Sequence, residues 1–290
     1  FLSVILWAWI LTVGAKNIEP RFDGKKITND VFWNTAEGMP LYSQGGGIFR
    51  YPDPDTGRLR YYWYGVRYAE AVRYREDPSV TYPACTFEAV TCYSSDDLIN
   101  WYYEGDVLTR EEVDRYGRAG WVGRMGVAYL EAWNQYVLVV QHDNGVLFAL
   151  SHTPNGRFTW HRRITMEKII GTPNTGDQTV FVDEDTRKPY LIYSYGRGRN
   201  RIYVSEIGIR DGQVDLLDCT QVFKGAGREG NCLFKYEGRY YMCASNLYGW
   251  DSSFAYYMVA NDIRGPYEPV NDMKIMPGCA EDYAHVTQTG

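Results

Sequence analysis

The sequence predicts an all-β fold, a five-bladed β-propeller that is cut short within its fifth blade. Three observations carry this expectation. No long helical period occurs; short apolar runs alternate with Gly- and Asp-containing turns along the whole chain. An aromatic strand recurs as Tyr61-Tyr62-Trp63-Tyr64, Gln135-Tyr136-Val137-Leu138, Pro189-Tyr190-Leu191-Ile192 and Arg239-Tyr240-Tyr241-Met242, with Tyr136, Tyr190 and Tyr240 spaced 54 and 50 residues apart. A further strand follows each of these, starting at Val90, Val146, Ile202 and Ala255, at intervals of 56, 56 and 53 residues. A four-stranded unit repeating at just over fifty residues is a propeller blade, and a β-sandwich would not produce this period.

Four blades are expected at about 38–108, 120–167, 174–224 and 227–270, with a fifth inner strand opening at 283–290. The outer strands are expected at Asn100-Trp101-Tyr102-Tyr103, Phe158-Thr159-Trp160-His161, Val214-Asp215-Leu216-Leu217 and Gly265-Pro266-Tyr267-Glu268. A ring lacking most of one blade leaves two sheet edges exposed.

Residues 1–15 stand apart. Phe1 to Val13 is almost wholly apolar, too short to span a bilayer comfortably, and is followed by the small residues Gly14 and Ala15. This reads as the remnant of a signal peptide, with a buried first strand as the alternative. The expectation is export: a secreted, periplasmic or cell-surface protein with no membrane span in the mature chain.

Composition narrows the function. A net charge of −6 argues against nucleic acid as a partner. The basic run Arg197-Gly198-Arg199-Asn200-Arg201 reads as a solvated turn. The 26 tyrosines and 9 tryptophans favour strands and also stack on flat apolar faces such as sugar rings. The six cysteines contain no CxxC, and the four histidines lack zinc spacing. Buried free thiols are expected, with a Cys232–Cys243 bridge as the alternative. No nucleophile-elbow motif is present, and Gly45-Gly46-Gly47 leads to no helix start or Lys, so it reads as close packing rather than a phosphate cradle.

In a propeller the starts of the inner strands converge on a central funnel. Here these are Ser43-Gln44-Gly45-Gly46-Gly47, Gly123-Arg124-Met125-Gly126, Gly176-Asp177-Gln178-Thr179, Arg228-Glu229-Gly230-Asn231 and His285-Val286-Thr287-Gln288. Asp177 and Glu229 are the acids among them, and a pair of carboxylates across an aromatic-rimmed funnel is the minimum equipment for hydrolysing a glycosidic bond. Simpler roles stay open. Asp177 can bind backbone amides, Glu229 can pair with Arg228 or Arg124, and Gln44 and Gln288 can serve as hydrogen bonders. His142-Asp143, at the end of a second strand, is expected to line the funnel.

As a set, Gly45-Gly46-Gly47-Ile48, Tyr61-Tyr62-Trp63-Tyr64-Gly65, Ser94-Ser95-Asp96-Asp97-Leu98, Asp177-Gln178-Thr179-Val180-Phe181, Arg228-Glu229-Gly230, Gly249-Trp250-Asp251 and Thr287-Gln288-Thr289 resemble glycoside hydrolase family 43 over about residues 40–290. The likeness is strongest to the branch containing exo-β-1,3-galactanases. The resemblance implies a five-bladed propeller hydrolysing with inversion. Glu229 falls on the family's general acid, a role that requires a raised pKa. Gln288 falls where this branch carries an amide as the general base, with Asp177 assisting. Arg228, Trp250 and Asp251 fall on sugar-pocket positions, beside Gln44, Arg124 and His142 at the funnel.

The chain departs from the branch pattern at Ser43-Gln44, where Ala-His is usual. It departs again at Gly123-Arg124-Met125, where Glu-Arg-Pro is usual, and at Gly176, where Arg is common. The expected activity is therefore degradation of a plant-type polysaccharide or its side chains, galactan-like first. Arabinofuranosidase or xylosidase activity, a catalytically inactive carbohydrate-binding propeller and a protein-interaction propeller are the alternatives. No cofactor is implied, a structural calcium ion in the channel is allowed, and a monomer is expected.

Overall fold

The computed structural model describes residues 26–28, 31–117, 120–195, 200–247 and 255–270. Among them are four antiparallel sheets, taken up one after another along the chain, arranged as the blades of a propeller. Blade one is β1 (Gln44–Pro52), β2 (Leu59–Tyr68), β3 (Phe87–Ser95) and β4 (Tyr102–Thr109), with a short helix α1 (Ala71–Glu76) between β2 and β3. A second helix, α2 (Arg110–Arg115), leads out of it, capped by Thr109, whose side chain accepts a hydrogen bond from the Glu112 amide. Blade two is β5 (Val122–Leu130), β6 (Gln135–His142), β7 (Gly145–Ser151) and β8 (Thr159–Ile164), followed by α3 (Glu167–Ile170). Blade three holds β9 (Gln178–Val182), β10 (Pro189–Ser194), β11 (Arg201–Arg210), β12 (Gln213–Leu216) and β13 (Thr220–Lys224). Blade four is β14 (Glu229–Tyr236), β15 (Arg239–Ser245), β16 (Ala255–Ala260) and β17 (Glu268–Val270). The expected signal segment and the fifth inner strand at 283–290 lie outside the described residues.

The recurring tyrosines stitch the blades together. Three apolar clusters fill the three interfaces between consecutive blades. Tyr51 and Tyr64 of blade one are buried between blades one and two, and their hydroxyls donate to the carbonyls of Val127 (2.7 Å) and Pro154 (2.6 Å) of blade two. A buried phenol needs such a partner, and backbone carbonyls of the neighbouring blade, one in β5 and one in the β7–β8 turn, provide it.

Two expectations are corrected. The outer strand of blade three is not Val214 to Leu217 alone. β12 pairs only with the far end of the long β11, and β13 pairs with Arg201–Val204 and completes the blade. Strand β14 alternates: Leu233 packs against blade three, whereas Cys232 and Phe234 are exposed on the opposite face, as the two-residue period of a strand dictates. Of the thiols expected to be free and buried, Cys85, Cys92, Cys219, Cys232 and Cys243 are all free, but only Cys92 and Cys243 are buried, and Cys232 and Cys243 sit opposite each other in the β14–β15 ladder.

Candidate active site

The inner strands β1, β5, β9 and β14 lie side by side, and their starts share one local construction. The ladder is interrupted between Gln44 and Gly47, between Val122 and Met125, and between Glu229 and Cys232. Such a bulge turns the leading side chains out of the sheet toward the centre. Gly45, Gly176 and Gly230 take left-handed φ angles of 66°, 61° and 62° at the equivalent point of three blades, a conformation that glycine adopts without strain.

This register sets the two acids at different positions along their strands. Glu229 is equivalent to Gln44, Val122 and Thr175. Asp177 is equivalent to Arg124 and Asn231. The two carboxyls therefore leave the ring at different levels and meet different neighbours.

Asp177 is engaged on every side. Its Oδ2 accepts from the backbone N–H of Gly230 at 2.9 Å, and its Oδ1 faces Nε of Arg124 at 3.6 Å. Its carbonyl accepts from Nδ2 of Asn231 (3.2 Å) and from the Ser194 amide (3.0 Å). Blades two, three and four are thereby tied at their tips. Gln178 adds to the tie: its Nε2 donates to the Arg124 carbonyl at 3.2 Å, and its Oε1 accepts from the Thr175 hydroxyl at 2.9 Å.

Glu229 is buried, 7% exposed, at the start of β14. It lines a cleft of about 1240 Å³ together with Gln44, Arg124 and Asp177. One wall of this cleft comes from the excursion between β2 and β3, which carries α1.

The remaining candidates are dispersed. His142 does not line the cleft. Its strand neighbour Gln141 does, donating from Nε2 to the Gly176 carbonyl, so alternation along β6 sends His142 to the other face. There it is buried edge-on against Trp160, with ring centroids 6.0 Å apart, and burial, then the nearby Arg163, depress its pKa. Arg228 also lies away from the cleft. Its guanidinium donates to Oδ1 of Asn246 at 2.8 Å and sits 4.1 Å from the Tyr256 ring centre, and burial lowers its pKa. Gln288, Trp250 and Asp251 lie outside the described residues.

Sequence reading missed Gln141 and Trp121. Trp121 lines the cleft and is 45% exposed; its only sequence signal is an unpaired aromatic beside a Gly-rich strand start. Among the described residues no group of three or more His, Cys, Asp or Glu side chains could hold a metal ion, and no helix is long and apolar enough to cross a membrane.

Comparison with known proteins adds to this geometry. A curated β-xylosidase from Formosa agariphila is 28% identical over 169 residues, 51% of this chain and 27% of its own length. An exo-β-1,3-galactanase from Clostridium thermocellum superposes with a TM-score of 0.67 at 27% identity, covering 84% of this chain and 51% of its own. An exo-β-1,3-galactanase from Phanerochaete chrysosporium, solved with galactose, gives a TM-score of 0.66 over 84% of this chain and 53% of its own; at 22% identity that likeness concerns the fold alone. The chain thus spans about half the length of these structures and about a quarter of the curated relative. The profile of the glycosyl hydrolases family 43 matches residues 51–290, and the chain belongs to that family.

Proposed function

We propose that this chain carries the catalytic propeller of an inverting exo-glycosidase acting on a β-1,3-linked galactan. The observation that carries the reading is the buried Glu229 in the cleft wall, with the amide of the next residue held by Asp177. Glu229 protonates the leaving glycosidic oxygen. A water attacks from the opposite face of the sugar, oriented by Gln288, and the anomeric configuration inverts. Asp177 positions rather than reacts, since both its oxygens are already engaged. The galactan assignment is supported by the Clostridium thermocellum exo-β-1,3-galactanase.

The reading includes a fifth blade, begun at 283–290, that brings Gln288 to the funnel. The family match through residue 290 supports it. So does the outward face of blade four, where Phe234 and Tyr241 stack with planes 3° apart while Phe234 stays 46% exposed. It also includes export, supported by the apolar residues 1–13.

The test is Glu229→Gln assayed on β-1,3-galactan and on an aryl β-galactoside. Turnover of the galactan is expected to fall by about 10²–10⁴-fold, as for loss of a general acid. The aryl substrate, whose leaving group needs little protonation, is expected to lose far less. Galactan hydrolysis within a few-fold of wild type would remove Glu229 from the mechanism. The sugar first released is expected to be the α-anomer; a β-anomer would refute inversion.

A second reading is β-xylosidase activity, favoured by the Formosa agariphila relative. Release of xylose from β-1,4-xylobiose at a higher kcat/KM than galactose from β-1,3-galactobiose would establish it over the first.

A further inference from the structure

Blade two begins unlike its neighbours. Gly123, at the bulge of β5, is buried, and a Cβ built there would collide with the six-membered ring of Trp121. The indole is therefore seated directly on bare backbone, and Trp121, 45% exposed as a residue, lines the cleft.

The seat is fixed from behind. The Trp121 amide donates to Oδ1 of Asp143 at 2.7 Å, and the Trp121 carbonyl accepts from the Asp143 amide at 2.9 Å. This reciprocal pair holds Trp121 against the β6–β7 turn, and Gly120 packs on the Asp143 carboxyl with no room for a side chain. An aromatic whose backbone is fixed on both sides, and whose ring rests on a glycine at the edge of a cleft, loses less freedom on binding a ligand than one on a free loop.

The wall from blade one presents matching chemistry. Phe32 and Tyr74 line the same cleft, packed edge to face at 6.0 Å and 85°, and are 44% and 46% exposed. Arg75 braces them: its guanidinium lies 5.2 Å from the Phe32 ring centre and donates to the Trp33 carbonyl at 2.9 Å. The base of the excursion is closed by the Thr86 amide donating to Glu70 at 2.8 Å.

Among the described residues the ionic groups lining the cleft are Glu70, Asp143 and Asp177 against Arg75 and Arg124, with Glu229 the protonated acid of the proposed mechanism. Both guanidiniums are engaged, Arg124 with Asp177 and Arg75 with the Trp33 carbonyl. A carboxylate on the ligand would thus meet excess negative charge, whereas a neutral ring with apolar C–H faces and hydroxyl edges fits aromatic faces rimmed by carboxylates.

We infer that Trp121, seated on Gly123, is the stacking platform that binds a neutral pyranose in this cleft and selects it over a uronate. The inference rests on the glycosidase reading for the identity of the site, but its test is a binding measurement that does not require turnover.

Calorimetric titration with β-1,3-galactotriose, β-1,4-xylotriose and a trigalacturonate is run on wild type, Trp121→Ala, Trp121→Phe and Gly123→Ala, with hydrolysis of the neutral sugars followed in parallel. Trp121→Ala is expected to weaken binding of the better neutral trisaccharide about tenfold, the scale of one aromatic contact. Trp121→Phe is expected to stay within about threefold of wild type. Gly123→Ala keeps the indole in the chain but unseats it, and is expected to behave as Trp121→Ala.

Unchanged affinity and KM in Trp121→Ala, with hydrolysis intact, overturns the inference and leaves the glycosidase reading standing. Loss of binding in Trp121→Ala while wild type hydrolyses nothing supports the platform and sinks the enzymatic reading. Wild type that binds no neutral trisaccharide, or binds trigalacturonate more tightly, overturns the inference.

Discussion

The carboxylate of Asp177 in blade three accepts a hydrogen bond from the backbone amide of Gly230 in blade four, at 2.9 Å, directly beside Glu229. One acid thereby fixes the strand start from which the other projects. Removing it loosens Glu229 without touching it. Asp177→Ala is expected to lower kcat on a galactan by about 10²-fold, the scale of a small displacement of a reacting group, with KM little changed. Asp177→Asn can still accept from Gly230 through its amide oxygen and is expected to keep more activity than Asp177→Ala. Equal losses in the two variants would show that the charge facing Arg124, not the hydrogen bond to Gly230, is what matters.

Gly46 lies at the bulge of β1 with no space above it. A Cβ there would collide with the carbonyl of Tyr64, which belongs to the paired strand and cannot swing away. Gly46→Ala is expected to cost about 2–3 kcal/mol by overpacking, read as a lower denaturant midpoint with an unchanged m-value. Gly57→Ala is a poor control, because Gly57 has a φ of 69°. Ala69→Gly, in an exposed connection, serves better and should change stability by under about 1 kcal/mol.

Much of the fold was legible because its signal is repeated. Tyr64, Tyr136, Tyr190 and Tyr240 each bury a ring between blades, so interface chemistry recurs once per blade and the period surfaces in the sequence. Blade three escaped in part, since β11 is long enough to pair with both β12 and β13, and strand length carries no periodic mark. In the site, the starts of the inner strands could be read from their small and polar residues. Their register could not. Asp177 and Glu229 differ in level because Asp177 follows the left-handed Gly176 while Glu229 precedes the equivalent Gly230, and that equivalence is visible only as geometry. His142 and Gln141 are adjacent, so nothing but strand phase decides which meets the cleft. Trp121 was hidden because its meaning lies in the absence of a side chain at Gly123.

His142 makes stability sensitive to mild acid. Neither ring nitrogen has a hydrogen-bond partner among the described residues, and burial followed by Arg163 depresses its pKa, with Asp143 acting in the opposite sense. The unfolded chain then binds a proton near pH 6.5 that the folded chain refuses, so stability falls as pH drops below that value. His161, likewise depressed by burial and then Arg162, acts in the same direction. His142→Phe preserves the edge contact with Trp160 and removes the titration. It is expected to hold its melting temperature better than wild type between about pH 6.5 and 5, with a difference that vanishes near pH 8. Parallel melting curves for the two proteins over that range would exclude the effect.

Asp183 anchors the junction of blades three and four from the end of β9. It is 1% exposed at its side chain, and Oδ1 accepts from the amides of Asp185 (2.9 Å) and Thr186 (3.3 Å). The Tyr240 hydroxyl donates to its Oδ2, and Nζ of Lys235 in β14 lies 3.3 Å from both oxygens. Burial pushes its pKa up, but the hydrogen bonds from Tyr240, the two amides and Lys235 outweigh burial and hold it below the ordinary carboxylate range. A depressed folded pKa contributes stability that is present above the unfolded value, about 4, and is lost as pH falls through the folded one. Asp183→Asn keeps one acceptor oxygen, but its NH2 group must face Lys235 or Tyr240. It is expected to lower stability at pH 7 by about 1–3 kcal/mol and to flatten the acid limb below about pH 4. Asp185→Asn is the matched control. Asp185 also meets Lys235, at 2.6 Å, but its side chain is 75% exposed, so solvent screens the pair and the change should stay below about 1 kcal/mol. If Asp185→Asn proves as damaging as Asp183→Asn, the junction depends on the charge of Lys235 and not on the buried hydrogen bonds of Asp183.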